Sequence, residues 1–482
     1  MICRHIFIDL PKVEERLNNW LEETSINWTN NARVIAKSWL KGGLQPRCIT
    51  RDLKWGTPVP MKGYESKVFY VWFDAPIGYI SITANYTDQW EKWWKNPKDV
   101  EYYEFMAKDN VPFHSVVFPA TQLGTCQPWT MVNYLMSTEY LNYEDAKFSK
   151  SRGIGVFGND AKETGIPADI WRFYLMYTRP ENADSAFKWE DLMLKNNSEL
   201  LANLGNFVNR ALKFTKDNFG GKLGQITLTS EDEHIIVQIN RCLKQYVDLL
   251  EKCREREAIS QIFNISRIGN QLMQAEKPWK LVKSKVSEEF ARAYSVVSFC
   301  ANISCLLAVL IQPFMPTMSK ALLSQLNVQM ENVNILAETD PKQRLFRYDT
   351  FLTAFRRKKS YVFSFFRWFL KPDHEIGQPG PLVREIKADE IQNLKERFAG
   401  RSKSDSPPKT VDDVNDVKKL EEQVATQGDA VRKLKESKAT KEDIKIAVEK
   451  LLDLKKLLAL AQGKDPKELI GGGGGNKKGK KK

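Results

Sequence analysis

Residues 67–76 read KVFYVWFDAP and decide how the first part of this 482-residue chain is interpreted. The stretch is rich in β-branched and aromatic residues and ends at a proline, which is typical of a buried strand. Tyr102–Ala107 and Ser115–Phe118 predict two more short strands, and Thr130–Tyr140 predicts a helix. Strands that alternate with helices indicate an α/β sheet, which we expect to be parallel.

The carboxyl ends of these strands are where a ligand is expected, because ligands of open parallel sheets bind in the crevice beyond those ends. This rule selects Asp74–Tyr79 after the first run and Lys108 with Asp109 after the second. It also selects the loop around Lys147.

The chain from Trp189 to about Glu338 has the periodicity of helices. Pro278 and Pro313 fall between periodic segments, where helices end. The pattern predicts an antiparallel helix bundle. Apolar residues recur at steps of three and four, for example at Ile235, Ile236, Ile239, Leu243, Val247 and Leu250.

One apolar run, Ala293–Ile311, is almost as long as a bilayer-spanning helix, which needs about 20 residues. It contains four polar side chains of a kind that is costly in lipid. We therefore expect a buried helix of the bundle, with Cys300 and Cys305 as packing residues. The four polar residues are Ser295, Ser298, Asn302 and Ser304.

Composition excludes several classes of protein. Hydrophobic residues make up 42% and aromatic residues 11%, so the chain is not wholly disordered. Charged residues at 28% and a mean hydropathy of −0.45 argue against a multi-span membrane protein. A net charge of +13 favours polyanionic partners, nucleic acid before acidic lipid. The seven cysteines include no C-x-x-C pair, which predicts a reducing intracellular compartment and no zinc site.

Two segments near the end of the chain are unusual in composition. Residues 342–371 interleave aromatic residues with nine basic ones. That pattern fits stacking on single-stranded RNA, or a poorly ordered, alternatively encoded insert, and we favour the insert. Pro407 and Pro408 lie in a Ser- and Lys-rich linker that precedes a helical hairpin. The tail GGGGGNKKGKKK is expected to be flexible.

The sharpest motif is KFSKS at Lys147–Ser151. Two lysines three residues apart on a mobile loop can hold a polyphosphate, because their ammonium groups offset the charge that develops as pyrophosphate leaves. From this pattern alone, a solvated basic loop is an equal alternative.

The context of the motif resembles a known family. Residues 140–180, YLNYEDAKFSKSRGIGVFGNDAKETGIPADIWRFYLMYTRP, are similar to the second signature of class I aminoacyl-tRNA synthetases, and specifically of the eukaryotic cytosolic methionyl-tRNA synthetases. Three further stretches match the same family in the same order, so the resemblance covers about residues 5–340. They are VFYVWFDAPIGYISI at 68–82, FMAKDNVPFHSVVFPA at 105–120 and LLANLGNFVNRALKF at 200–214.

The resemblance implies a reaction and its partners. Methionine and ATP, as its Mg²⁺ complex, would form methionyl-adenylate, and the aminoacyl group would pass to methionine tRNA. The resemblance also implies a cytosolic location and makes a multi-synthetase complex a candidate partner. No membrane partner and no metal site are expected.

The resemblance implies roles for single residues. Lys150 is the candidate transition-state lysine with Lys147 in support, and Asp109 and Ser149 join them in binding ATP. Read without the family, Trp72 would be core packing, His114 a satisfied core histidine and Asp109 a turn residue. The candidate methionine pocket consists of Trp72, Ala75, Pro76, Tyr79 and His114.

Anticodon reading is assigned in the same way. Asn206 and Arg210 lie four apart, hence on one helix face, and match the pair that reads the CAU anticodon. Pro278 and Trp279 match a second anticodon element, where an indole can stack on an unpaired base. The plain alternatives are a polar surface pair and a helix that starts with Pro-Trp.

The expected fold is multidomain α/β plus α. It would join part of a class I Rossmann-type catalytic domain to an anticodon-binding helix bundle and a helical hairpin that resembles a WHEP domain. The predicted divisions are the catalytic part at 1–150, a connecting stem-contact region at 151–190, the bundle at 191–340, the insert and linker at 341–410, the WHEP hairpin at 411–466 and a basic tail at 467–482.

The match breaks at the first class I signature, His-Ile-Gly-His, whose imidazoles bind ATP phosphates. The four histidines are His5, His114, His234 and His374, and no two lie three apart. We therefore expect an N-terminally truncated synthetase. The alternative hypothesis for its function is a tRNA-binding fragment that does not activate methionine.

Overall fold

The computed structural model of the chain describes residues 4–329, 369–400 and 424–432, and scattered positions from 434 to 454. Most of the predicted insert, the Pro407–Pro408 linker and the predicted tail lie outside the described residues. The chain divides into two units, Met1–Ala399 and Gly400–Lys482. In the second unit, residues 424–432 are helical.

The first unit begins with an α/β part and continues as a stack of helices. The strands are β1 Phe7–Ile8, β2 Arg47–Cys48, β3 Thr50–Arg51, β4 Val68–Phe69, β5 Tyr103–Ala107, β6 Tyr134–Thr138, β7 Leu141–Tyr143 and β8 Ser185–Phe187. The helices of the α/β part are α1 Glu14–Thr24, α2 Asn30–Lys41, α3 Val71–Asp74, α4 Ile77–Tyr86, α5 Glu91–Trp94, α6 Phe118–Gly124, α7 Gly158–Glu163 and α8 Ala168–Tyr177. Those that follow are α9 Trp189–Lys195, α10 Asn206–Phe219, α11 Ser230–Glu251, α12 Glu255–Glu276, α13 Pro278–Leu281, α14 Ser287–Ile311, α15 Pro316–Gln325 and α16 Ala388–Arg397.

Parallel pairing is present, although β5 is the single member of these pairs that was predicted as a strand. β5 pairs with β6 in parallel, with Tyr103 opposite Tyr134 and Ala107 opposite Thr138, and β7 pairs with β8 in parallel. β1 with β2 and β3 with β4 form short antiparallel pairs. The predicted α/β class with parallel strands is therefore confirmed, and β5 and β6 end side by side.

The first predicted strand was wrong over most of its length. Only Val68–Phe69 is a strand, and Val71–Asp74 is a helical turn in which the Ala75 N–H bonds to the Val71 carbonyl. Packing explains the difference, because the Trp72 ring stacks against Phe113 with centroids 5.3 Å apart. Tertiary contacts of this kind override the strand preference of aromatic residues.

Two other predicted elements have the wrong secondary structure, one a helix where a strand was predicted and one a strand where a helix was predicted. Ser115–Phe118, predicted as a strand, lies in a π-helical turn at Phe113–Val117 that continues into α6. Thr130–Tyr140, predicted as a helix, contains strand β6. Short apolar runs are ambiguous between the two structures, and here the ladder to β5 decides for the strand.

The helix bundle was predicted correctly, and local signals set its helix ends. Thr229 and Asp232 form a capping box at the start of α11, in which the Thr229 N–H donates to Asp232 Oδ2 at 2.9 Å. α10 ends at Gly220, whose φ of +59° is the left-handed conformation that glycine adopts without strain.

Helix α14 contains the apolar run and lies inside the bundle. By length and composition it is the single helix among the described residues that could cross a membrane, but 89% of its apolar window is buried. Its polar side chains anchor other segments. Ser298 Oγ accepts a 2.8 Å hydrogen bond from the Gly224 N–H, and Asn302 Oδ1 accepts one from the Leu370 N–H. The prediction of a buried bundle helix, with Cys300 and Cys305 in the core, is confirmed.

We expect Ser298→Ala to lower the free energy of unfolding by about 1–2 kcal/mol, because it leaves the buried Gly224 N–H without a partner. Ser304→Ala is the matched control, since Ser304 is equally buried and bonds only to the Cys300 carbonyl of its own helix. Urea unfolding of both variants measures the difference. Equal losses would contradict the anchoring role.

The segment 369–399 corrects the prediction that 341–410 is an insert and linker. Ile376, Ile386, Ile391 and Phe398 are buried in the same hydrophobic cluster as the bundle. The segment contains Pro and Gly residues that suggested a linker, but its apolar side chains fill the space between helices. The Phe398 ring stacks on Trp189 with centroids 5.9 Å apart.

Candidate functional site

The KFSKS loop is a tight turn with its lysines exposed. Ser149 and Ile154 exchange both backbone hydrogen bonds, at 2.9 and 3.0 Å. Between them the chain turns through Gly153, whose φ is +66°. Lys147 and Lys150 point away from the core, and neither forms an ion pair with another described residue. The structure therefore presents two exposed ammonium groups on a short, closed loop, neither of them in an ion pair with a described residue.

Phe148 anchors this loop. Its ring lies between Tyr143 and Phe157, with centroid distances of 5.3 and 5.8 Å. Gly155 lies against the ring with a φ of +110°, and a Cβ atom there would come within 2.3 Å of Phe148 Cδ1. The apolar member of the motif holds the loop to the core while its lysines face solvent.

Gly155→Ala is expected to displace Phe148 and to lower the free energy of unfolding by about 1–3 kcal/mol, because both the clash and the backbone strain are introduced. At Gly153 an added Cβ would meet no atom within 4 Å, so Gly153→Ala tests the strain alone. Denaturant unfolding should give a lower free energy of unfolding for Gly155→Ala than for Gly153→Ala. The reverse order would show that Phe148 is not the anchor.

The ends of β5 and β6 meet this loop through a tyrosine. Tyr140 Oη donates a 2.5 Å hydrogen bond to Asp109 Oδ1. The Tyr140 ring lies 4.1 Å from Lys108 Nζ and 5.9 Å from Lys147 Nζ. Asp109 and Lys147, 38 positions apart in the sequence, are thereby brought to one place.

Lys108 differs from the two loop lysines, because it is neutralised. It pairs with Glu139 and, at 3.3 Å, with Asp184. The pKa of Asp184 is lowered, first by the Tyr140 N–H that it accepts and then by Lys108 and Lys147. Sequence reasoning missed Tyr140, Glu139 and Asp184. The first two directly follow β6, so the signal was hidden when that strand was predicted as a helix.

Two residues of the candidate methionine pocket share a hydrogen bond. Tyr79 Oη and His114 Nε2 lie 2.8 Å apart, and His114 Nδ1 lies 2.9 Å from the Asn110 carbonyl. A carbonyl only accepts, so Nδ1 carries a proton and the neutral ring accepts from Tyr79 at Nε2. Burial lowers the pKa of His114, which favours this neutral form.

Trp72 is connected to His114 through Phe113, whose ring contacts both, and it also lies near a cation. The Trp72 ring stacks on Phe113. The Arg47 guanidinium lies 4.7 Å from the centroid of the Trp72 ring and 5.1 Å from that of the Trp39 ring. Arg47 was not predicted as a site residue. Ala75 is exposed and Pro76 is buried at the junction of α3 and α4.

A second candidate site lies on the bundle. The Arg210 guanidinium of α10 lies 5.3 Å from the Trp279 ring of α13. Asn206 is exposed one turn before Arg210, and Pro278 is buried at the start of α13. The predicted anticodon residues of two separate motifs therefore meet on one surface.

Within the described residues, no group of three or more His, Cys, Asp and Glu side chains is placed to hold a metal ion. The predicted lack of a zinc site stays a prediction.

Comparisons with known families match three parts of the chain. Residues 2–212 match the family described as tRNA synthetases class I (M). Residues 224–345 match the anticodon binding domain of methionyl tRNA ligase, and residues 420–468 match the WHEP-TRS domain.

Relatives that are similar over most of the chain share one name. The chain is 50% identical to the cytoplasmic methionine–tRNA ligase of Homo sapiens over 471 residues, which is 96% of this chain and 49% of the relative. It is 51% identical to that of Mus musculus, again over 96% of this chain and 49% of the relative. The chain spans about half the length of the curated relatives that it matches.

Solved structures show the same fold at lower identity. The free-state methionyl-tRNA synthetase of Mycobacterium tuberculosis is 19% identical with a TM-score of 0.62, covering 79% of this chain and 68% of that one. Its complex with methionyl-adenylate is 20% identical with a TM-score of 0.64 and the same coverage. These neighbours confirm the predicted fold class.

Proposed function

Because the chain belongs to the methionyl-tRNA synthetase family, whose cytoplasmic members it matches over 96% of its length, we propose that it is a methionine–tRNA ligase. The methionine carboxylate would attack the α-phosphorus of ATP, releasing pyrophosphate and forming methionyl-adenylate. The 3′ adenosine of methionine tRNA would then attack the activated carbonyl and release AMP. One observation carries the proposal: Tyr140 brings the KFSKS loop to Asp109 at the carboxyl ends of β5 and β6.

Lys150, with Lys147, is proposed to stabilise the leaving pyrophosphate. Both ammonium groups are exposed and unpaired with described carboxylates, so no ion pair has to break before they meet phosphate. Positive charge aimed at oxygens that become more negative in the transition state lowers the barrier selectively. Ser149, which closes the turn, would hydrogen-bond the same phosphates.

Asp109 is proposed to accept hydrogen bonds from the ATP ribose. Its carboxylate is exposed at the strand end and already accepts from the Tyr140 hydroxyl. A ribose hydroxyl offers the same type of donor. ATP would enter as its Mg²⁺ complex.

Methionine is proposed to bind between Trp72 and the Tyr79–His114 pair, over the surface of Ala75 and Pro76. A thioether packs well on polarizable rings. The Tyr79 hydroxyl and the His114 imidazole already bond to each other, so an apolar methionine side chain can bind beside them without leaving a buried donor unpaired. A polar isostere of methionine would compete for the Tyr79–His114 hydrogen bond.

The bundle surface is proposed to read the anticodon of methionine tRNA. Trp279 would stack on an unpaired base, and Arg210 and Asn206 would bond to base edges or phosphates. The hairpin predicted at 411–466, much of which lies outside the described residues, is proposed as a contact for tRNA or for a multi-synthetase complex. We propose the cytosol as the location, following the cytoplasmic relatives. We also propose that the domains divide where the sequence predicts, apart from the segment 369–399.

Methionine-dependent exchange of labelled pyrophosphate into ATP tests the activation step on the full chain. We expect exchange that requires methionine and is not supported by leucine. Absence of exchange with methionine tRNA still bound would overturn the ligase and support the second candidate function, tRNA binding alone. The contact of Arg210 with Trp279 favours that second function, because this surface does not depend on the activation step.

A further inference from the structure

Strand β5 places one carboxyl group inside the protein behind the candidate methionine pocket. Glu104 is only 6% exposed, whereas the next residue, Phe105, is 57% exposed. Glu104 Oε1 accepts a 2.6 Å hydrogen bond from Tyr102 Oη. Glu104 Oε2 is buried and has no hydrogen-bond partner among the described residues. The proposed mechanism does not use this group.

A continuous set of contacts leads from Glu104 to the pocket. The Tyr102 ring packs edge-to-face on Trp94, with centroids 5.0 Å apart. The Trp94 indole N–H donates to Thr83 Oγ1 at 2.9 Å, and Thr83 Oγ1 donates to the Tyr79 carbonyl at 3.1 Å. Thr83 and Tyr79 lie one turn apart on α4, the helix that presents the Tyr79 hydroxyl to His114.

The electrostatics point the same way. Burial raises the pKa of Glu104 to about 7, and the Tyr102 hydrogen bond opposes that rise. The pKa of Tyr79 is raised by burial and then by the charge of Glu104. The titratable groups that interact with Glu104 among the described residues are Tyr102, directly before β5, and Tyr79 on α4. Glu104 therefore changes its charge near neutral pH, close to the pocket.

We propose that Glu104 is a positioning residue, which acts through Tyr102 and α4 on the Tyr79–His114 hydrogen bond, and that loss of its proton loosens the pocket. Protonated, the carboxyl fits its apolar site and leaves the Tyr79 hydroxyl donating to neutral His114. Ionised, its unpartnered Oε2 has to attract water or leave the site, and either movement shifts Tyr102.

The first readout needs neither methionine nor activity. The imidazole ¹⁵N resonances of the full chain come from four histidines, and His114→Gln identifies those of His114. We expect the His114 resonances to shift with a midpoint near pH 7 in the native chain and to lose that step in Glu104→Gln, which keeps the acceptor for Tyr102 but not the charge. Glu101→Gln is the matched control, because Glu101 is an exposed carboxylate three residues away. A step that persists in Glu104→Gln, or disappears in Glu101→Gln, would overturn the proposal.

The second readout is methionine affinity, and it rests on the proposed function. Equilibrium dialysis with labelled methionine should show binding that weakens several-fold from pH 6 to pH 8 in the native chain but stays constant in Glu104→Gln. Equal pH dependence in both would refute the action on the pocket. If neither chain binds methionine, the proposed function fails, while the His114 resonances still decide the role of Glu104.

Discussion

Lys150→Ala is expected to slow methionine-dependent ATP–pyrophosphate exchange by about 10²–10³-fold, the range seen when one charge-stabilising group is removed from a transition state. The loss should fall on kcat, with little change in the KM for methionine, since the lysine lies on the loop and not in the Tyr79–His114 pocket. Lys150→Arg should recover part of the rate because it keeps the charge.

The control for this variant is Lys162→Ala, which removes an exposed lysine from α7, outside the loop. It should leave exchange unchanged. Lys147→Ala is expected to have a smaller effect than Lys150→Ala, because Lys147 is assigned the supporting role. If Lys150→Ala and Lys162→Ala exchange at the same rate, Lys150 does not stabilise the leaving group.

Trp279→Ala is expected to weaken binding of methionine tRNA by about 10–100-fold, because base–aromatic stacking contributes about 1–3 kcal/mol per base. The indole also supports the Arg210 guanidinium, so Arg210→Ala should weaken binding too, and the double variant should lose less than the product of the single losses. Filter binding at fixed salt measures all three.

Trp55→Ala is a suitable control, since Trp55 is 91% exposed and belongs to the α/β part. A methionine tRNA with an exchanged anticodon supplies the second control. It should bind the native chain as weakly as methionine tRNA binds Trp279→Ala. Equal binding of the two tRNAs by the native chain would refute anticodon reading by this surface.

The parts of the site that lie close together in sequence could be predicted from it. KFSKS contains both lysines within one turn, and Asn206 and Arg210 share a helix face by their spacing alone. The long segment of α11 was predicted as a helix because its apolar residues recur at steps of three and four, and that of α14 because a long apolar run with polar residues fits a buried helix. Four ordered motifs sufficed to indicate the family.

Residues whose role depends on a distant neighbour could not be predicted. Tyr140 opens the stretch that resembles the second signature, but its residue type gives it no role, and only the pairing of β6 with β5 brings its hydroxyl to Asp109. Likewise, Arg47 belongs to the site only through its contact with Trp72, and Glu104 only through its hydrogen bond with Tyr102. The segment 369–399 resembled a linker because its prolines and glycines can be recognised in the local sequence. Its burial depends on contacts with helices far away in the chain, which the local sequence does not show.

The sequence by itself determined the family, the class of fold, the helical bundle and the two lysines proposed to meet ATP, since each depends on residue type and on spacing within one or two turns. Only the tertiary structure decided which of the short apolar runs become strands, which carboxylates pair with Lys108, and that Arg210 meets Trp279. One physical reason is that a short apolar run has too few residues for its hydrophobic periodicity to decide between helix and strand, so tertiary packing decides. The other is that ion pairs and ring contacts join residues that lie far apart in the chain.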